Sequence, residues 1–114
     1  NRQDKRLSAS IEQAESVQLT RDNQLRELQQ MLDADYANWQ RLGERAELYS
    51  NQLLNEATSN ARASLNAYQS GVTEFSTLMR ARITDLDVRL EDLRVRVDRA
   101  KAQVSLLYLA GEAQ

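Results

Sequence analysis

Apolar residues in the second half of the chain recur at alternating steps of four and three residues. This spacing places them on one side of a helix and is typical of a coiled-coil seam. The members of this helix-packing seam are Met79, Ile83, Leu86, Leu90, Leu93, Val97, Ala100, Val104 and Leu107. A second apolar series repeats every seven residues on nearly the opposite side of the helix. Its members are Ala81, Val88, Val95, Ala102 and Leu109. We therefore predict one helix with two packing faces and a neighbouring helix on each side.

The first half of the chain has an apolar stripe with more drift. Its members step by three or four residues, close to the period of a straight helix. They are Leu25, Leu28, Leu32, Tyr36, Trp39, Leu42, Ala46, Tyr49, Leu53, Ala57, Ala61, Leu65 and Tyr68. Before Leu25 the stripe thins, because Gln18 and Arg21 stand where apolar residues should follow Leu7, Ile11 and Ala14. We expect this first stretch to pack weakly, or against something outside the chain.

Gly71 interrupts the periodic pattern and separates two helices. A glycine just past a periodic run is a common helix end, because it adopts a left-handed conformation at little steric cost. Thr73 or Ser70 is expected to cap the next helix, with Glu74 in its first turn, where a negative charge favours the dipole. The pattern predicts a first helix over about 1–69, a tip turn at 70–73 and a second helix over about 74–110.

The predicted fold is therefore all-α, a long antiparallel helical hairpin of the coiled-coil type. The absence of proline in 114 residues fits a chain that is almost all helix. At about 1.5 Å per residue the first helix spans roughly 100 Å and the second roughly 55 Å, so the first arm overshoots the second.

The composition offers few residues that could bind a metal or take part in catalysis. It contains no Cys, no His and only two Met, so we predict no metal site, no cofactor and no enzymatic activity. A net charge of −2, with both signs interspersed, offers no basic face for nucleic acid.

Two local features concern packing rather than chemistry. Asp85 with Arg89, and Asp92 with Arg96, have the i,i+4 spacing that predicts ion pairs on an exposed helix. Gly43 either allows close approach of helices or is tolerated at a cost of about 1 kcal/mol.

No run approaches the roughly 20 apolar residues that a membrane-spanning helix needs, and the first residues lack a signal-peptide pattern. The chain starts at Asn1, within a polar helical pattern and without methionine. We expect it to be a segment of a longer protein.

The chain around the turn carries an Ala-Tyr pair, a glycine three residues after the tyrosine, an aromatic residue and then a leucine-containing run. These residues are Ala67, Tyr68, Gly71, Phe75, Leu78, Met79 and Ala81. The order resembles the second-repeat hairpin of outer-membrane efflux proteins, the TolC family. The leucine-rich end at 106–111 resembles the close of that repeat, and 52–57 resembles the long helix, although Asn55 stands where the family often has proline. The resemblance covers roughly residues 25 to 111.

This resemblance implies a fragment of an α-barrel. Members of the family are homotrimers with a β-barrel in the outer membrane, through which alone they contact the membrane, and a long helical barrel in the periplasm of Gram-negative bacteria. They form the exit duct of tripartite efflux pumps or type I secretion systems. The implied partners are a periplasmic adaptor, also called a membrane fusion protein, and an inner-membrane transporter.

The resemblance also implies a site at the hairpin tip, which would dock the adaptor and gate the duct entrance. Its residues would be Tyr68, Gln69, Ser70, Gly71, Val72, Thr73, Glu74 and Thr77. Where the best-known pattern has an arginine after the turn and then aspartates, this chain has Thr73, Thr77 and Arg80. A cation-selecting ring of the usual kind is therefore not expected, although Glu74 could supply a different one.

Two alternatives stay open at the level of sequence. Periodicity alone also fits a coiled-coil scaffold or dimerisation module. A periplasmic adaptor hairpin is also a long coiled coil, but the chain lacks the tip motif expected of one and its arms are unequal.

Overall fold

A computed structural model describes residues 1–112, which form a helical hairpin. The long arm consists of α1 (Arg2–Leu48), a π-helical segment (Tyr49–Leu53) and α2 (Leu54–Gln69), and the short arm is α3 (Phe75–Glu112). Residues 1–112 contain no strand. The molecule measures 101 × 21 × 14 Å. The prediction of an all-α, extended hairpin is confirmed.

Gly71 ends the long arm in the left-handed conformation, with a φ of 75°. The Val72 amide donates to the Ala67 carbonyl at 2.8 Å, and the Gly71 amide donates to the Tyr68 carbonyl at 3.0 Å. This pair of bonds is the Schellman pattern, which satisfies carbonyls that a helix end leaves free. The turn therefore forms where the apolar pattern breaks, because Gly71 adopts the left-handed conformation that the turn requires.

The start of α3 differs from the expected one. Glu74 lies before the helix, and its carbonyl accepts from the amides of Thr77 (3.2 Å) and Leu78 (3.3 Å). Glu74 thus holds the N-cap position expected of Thr73 or Ser70, while Ser70 is the C-cap of α2. The reason is that the chain uses the residues after the glycine to reverse direction before α3 can begin.

The two arms pack through small side chains. Ala57 and Ala61 are buried in α2, Gly43 is buried in α1, and Ala81 and Ala102 are buried in α3. Small residues at a helix contact bring the two axes closer than large ones allow. The interface is therefore narrow, and it follows one face of each arm.

The α3 face in this interface is the second apolar series, joined by Leu78, with Val95 at its centre. The hairpin does not use the predicted helix-packing seam, which lies exposed on the other side of α3. The exposed seam residues are Met79, Ile83, Leu86, Leu90, Leu93, Val97, Val104 and Leu107. Both series repeat every seven residues, so periodicity predicts two faces without saying which one meets the long arm. The smaller side chains of the second series match the glycine and alanines opposite them.

The π-helical segment keeps the apolar stripe of the long arm facing α3. Ala46 and Ala61 both face α3, but they are 15 residues apart, one more than two heptads. The Leu54 amide donates to the Tyr49 carbonyl, five residues back. A π turn of this kind takes up one extra residue. Because of it, the stripe stays against α3 on both sides of the segment.

The long arm extends beyond the end of α3. Every residue of 1–27 is exposed, a stretch of about 40 Å at 1.5 Å per residue. Leu7, Ile11 and Leu25 lie in it with half or more of their surface exposed. The overshoot expected from the two helix lengths is therefore present.

Candidate helix-docking faces

The outer face of α3 is a continuous apolar strip. We use this name for Met79, Ile83, Leu86, Leu90, Leu93, Val97, Ala100, Val104 and Leu107. Its large members are between 40% exposed, at Met79, and 67% exposed, at Val104. Residues 79 to 107 cover about 42 Å of helix. A strip of this regularity, with coiled-coil spacing, is typical of a surface that packs against another helix.

Basic residues border the outer face on both sides. Nine exposed positions lie directly beside it, at the positions that flank a coiled-coil seam, and six of them are basic while one is acidic. We call the six the basic flanks: Arg80, Arg82, Arg89, Arg94, Arg96 and Lys101. The acidic one is Asp87. In coiled coils the flanking positions decide which partner is accepted and in which orientation.

Three arginines of the basic flanks, Arg89, Arg94 and Arg96, form ion pairs within α3. Arg89 pairs with Asp85 at 3.2 Å, and Arg96 pairs with Asp92 at 2.9 Å. Both pairs were predicted from their spacing. Asp92 is buried, however, with only 6% of its side chain exposed against 62% for Arg96. The carboxylates therefore lie toward the long arm, while the arginines border the exposed surface.

Glu91 shows the same arrangement and also links the arms. Its carboxylate pairs with Arg94 of α3 at 3.1 Å and with Arg45 of α1 at 3.3 Å. Arg89 reaches the long arm as well, where its guanidinium donates to the Thr58 hydroxyl at 3.0 Å. Exposed pairs of this kind each contribute a few tenths of a kcal/mol. Their main effect is on position, because they hold the carboxylates of Asp85, Glu91 and Asp92 toward the long arm and away from the outer face.

A polar layer crosses the interface near the middle of the hairpin. The guanidinium of Arg99 lies over the Trp39 ring, 4.4 Å from its centroid. Gly43 makes room for it, since a Cβ atom at position 43 would be 2.6 Å from Nη2 of Arg99. Gly43 therefore serves close approach, but to a side chain of α3. The Nε atoms of Arg99 and Trp39 are buried without a hydrogen-bond partner within the part of the chain described.

The tip brings the predicted docking residues together at one end of the molecule. All of them are exposed except Thr73, which is half-buried. Val72 is 79% exposed, and Tyr68 packs edge to face against Phe75 with ring centroids 5.7 Å apart. This glycine-containing end, mostly polar but with Tyr68 and Val72 exposed, offers both side chains and accessible backbone to a partner. Its role in docking and gating stays a prediction.

At the other end, a shallow groove forms where α3 ends beside α1. It is lined on the α1 side by Leu25, Leu28 and Met31, and on the α3 side by Tyr108 and Leu109. Leu25 and Leu28 belong to the predicted stripe of the long arm. The groove is continuous with the exposed stretch 1–27, so it marks the place where the long arm loses its partner.

The sequence pattern predicts the apolar members of these faces and the ion pairs of Arg89 and Arg96, but neither the basic flanks as a group nor the Arg99 layer. The repeated arginines beside the seam are the signal in the sequence that points to the basic flanks. Across residues 1–112 no group of three or more acidic side chains comes together as metal ligands. None of the helices in that range combines the length and the apolar character that a membrane span requires. No protein family model, curated protein or solved structure matches the chain.

Proposed function

We propose that this hairpin is a segment of the periplasmic α-helical duct of a trimeric outer-membrane channel, used for tripartite efflux or type I secretion. In this proposal the hairpin stands among other helices of the duct wall. Its tip docks a periplasmic adaptor and takes part in gating the entrance. The homotrimer, the adaptor and the inner-membrane transporter are part of the same proposal.

The observation that carries the proposal is the second face of α3. A two-stranded hairpin needs one seam on each helix, but α3 has a buried face of small residues and an exposed outer face of large ones. Burying a side chain such as Leu86 or Leu90 is worth about 1.5–3 kcal/mol. A closed wall of helices gives each helix two neighbours and covers both faces. This architecture is what the resemblance at Tyr68–Phe75 also implies.

The unequal arms and the tip support the same architecture. The stretch 1–27 extends α1 past the end of α3, which suits a wall in which further helices continue alongside. The tip presents Tyr68, Val72 and Phe75 to solvent next to a tight glycine turn. These are features of an end that meets another protein.

The first experiment is a blot of fractionated source cells with an antibody raised against residues 1–114. We expect a band several times larger than 13.0 kDa, located in the outer membrane and running as a trimer when the sample is not boiled. A band near 13.0 kDa outside the membrane fractions would remove the duct and favour a coiled-coil scaffold.

A variant of the turn tests the role of the tip. Gly71→Leu places a large side chain at a backbone φ of 75°, which disfavours the tight turn and blocks backbone approach. In the intact source protein we expect loss of export with most helix content kept. Gly111→Leu is the matched control, because that glycine also has open space around it but lies far from the tip. Equal export by the two variants would remove the gating role.

A further inference from the structure

We infer that the partner of the outer face of α3 is a helix whose own seam is flanked by carboxylates. The inference concerns the face discussed under the proposed function, and it rests on that proposal only in taking the partner to be a helix. It adds the chemistry of the partner. Its basis is the positive charge of the basic flanks, together with the position of the Asp85, Glu91 and Asp92 carboxylates, which lie toward the long arm and not at the outer face.

Self-pairing of the outer face is the first alternative, and the flanks disfavour it in both orientations. In a parallel pair, flanking residues five positions apart meet, so Arg89 would face Arg94 of the second copy, and Arg96 would face Lys101 of the second copy. Only Arg82 would meet an acid, Asp87 of the second copy. Like charges in these positions destabilise a pair of helices.

An antiparallel pair is no better. In that orientation, the flanking positions on one side of the seam face the flanking positions on the same side of the seam in the other copy. On α3 these positions hold Arg82, Arg89, Arg96 and Gln103, so arginine again meets arginine. A second α3 is therefore a poor occupant of a face whose apolar spacing is otherwise regular.

The ion pairs within α3 do not remove this positive character. Arg80, Arg82 and Lys101 make no ion pair within residues 1–112. The paired arginines remain more than half exposed, whereas Asp85, Glu91 and Asp92 are at most 29% exposed. A helix that docks on the outer face therefore meets cations on both sides of the apolar strip. Glu or Asp at its flanking positions would pair with them, and Lys or Arg would be repelled.

The test uses two fluorescent probe helices of about four heptads, identical in their Leu/Ile seam. One carries Glu at all flanking positions and the other carries Lys, so that neither pairs well with itself. Titrated with the full chain in low salt, the Glu probe should bind at least about tenfold more tightly than the Lys probe, and NaCl should shrink the difference. Equal binding of the two probes would overturn the inference.

Two variants separate docking from simple charge attraction. Arg80→Glu/Arg82→Glu/Lys101→Glu leaves three basic and four acidic residues at the flanking positions, so the preference for the Glu probe should be lost. These residues carry no ion pair among those described, so the fold should be kept. The control, Arg26→Glu/Arg41→Glu/Arg62→Glu, makes the same change in net charge at exposed positions of the long arm. An equal loss of preference in both triple variants would show that only net charge matters and would contradict the inference.

Leu86→Gln/Leu93→Gln tests the apolar part. Both residues are more than half exposed, so the hairpin should fold, and circular dichroism checks that it does. We expect loss of Glu-probe binding. Unchanged binding would contradict docking on the outer face. These results do not depend on membrane location or trimer formation, which the blot reports, so the two proposals can fail separately.

Discussion

At Gly43, helix propensity and packing act in opposite directions. Replacing a mid-helix glycine by alanine ordinarily stabilises by about 1 kcal/mol, but here the new Cβ would be 2.6 Å from Nη2 of Arg99. Arg99 would then have to leave the Trp39 ring, losing a contact worth about 0.5–2 kcal/mol. We expect Gly43→Ala to give no net stabilisation in the native chain.

In an Arg99→Ala background the same Gly43→Ala change should stabilise by about 1 kcal/mol, because the propensity term acts alone. Urea unfolding of the four proteins of this cycle, followed by circular dichroism, gives the coupling energy. We expect a coupling of about 1 kcal/mol between positions 43 and 99. Additive effects of the two changes would show that Arg99 does not depend on the space at Gly43.

Gly71 is required for its backbone conformation rather than for space. Nothing lies within 4 Å of a Cβ atom built there, and its φ is 75°. We therefore expect Gly71→Ala to lower the free energy of unfolding by about 1–2 kcal/mol, and Gly71→Asn to lower it less, since Asn tolerates the left-handed region. Thermal unfolding by circular dichroism checks the order. An Asn variant less stable than the Ala variant would contradict this account.

At the scale of elements, the π-helical segment predicts an asymmetry between two deletions. Removing Asn51 takes one residue out of the π turn, so that Ala46 and Ala61 become two heptads apart and α1 can continue into α2 as a regular helix. Removing Asn60 instead turns the following residues of α2 by about 100° and moves Leu65 out of the interface. We expect the Asn51 deletion to melt within a few degrees of the native chain and the Asn60 deletion to melt clearly lower. Equal losses would mean that the π turn has no such role.

The elements also show where sequence reasoning succeeds. The break at Gly71, the two arms and the all-α class depend on local signals, and the sequence carries those in full. The choice between the two faces of α3 depends on which of them meets Gly43, Ala57 and Ala61 across the hairpin. Both apolar series of α3 have the same period, so the period alone does not predict this choice. The capping by Glu74 and the stacking of Arg99 depend on the path of the turn and on the opposite arm. For the same reason the outer face was identified as a seam but assigned no charge preference.

At the scale of the whole molecule, the outer face and the basic flanks act against each other in self-association. The apolar strip favours pairing of two chains, while arginines on both sides oppose it. Salt separates the two effects, because the Debye length falls from about 10 Å at 0.1 M to about 3 Å at 1 M. Hydrophobic association does not weaken under the same change. We therefore expect the chain to be mainly monomeric at low NaCl and to dimerise increasingly as NaCl rises, measured by sedimentation equilibrium.

The residues responsible can be separated by a matched pair of variants. Leu86→Gln/Leu93→Gln removes two large side chains of the outer face and should abolish the salt-induced dimer. Leu7→Gln/Leu19→Gln removes two leucines that are similarly exposed, at 62% and 64%, but lie in the stretch 1–27, and it should leave the dimer in place. Dimerisation that is independent of salt, or lost in the second variant and kept in the first, would place the contact elsewhere. If the dimer forms as expected, the charge on the flanks is what keeps the outer face free at low salt for a partner of opposite charge.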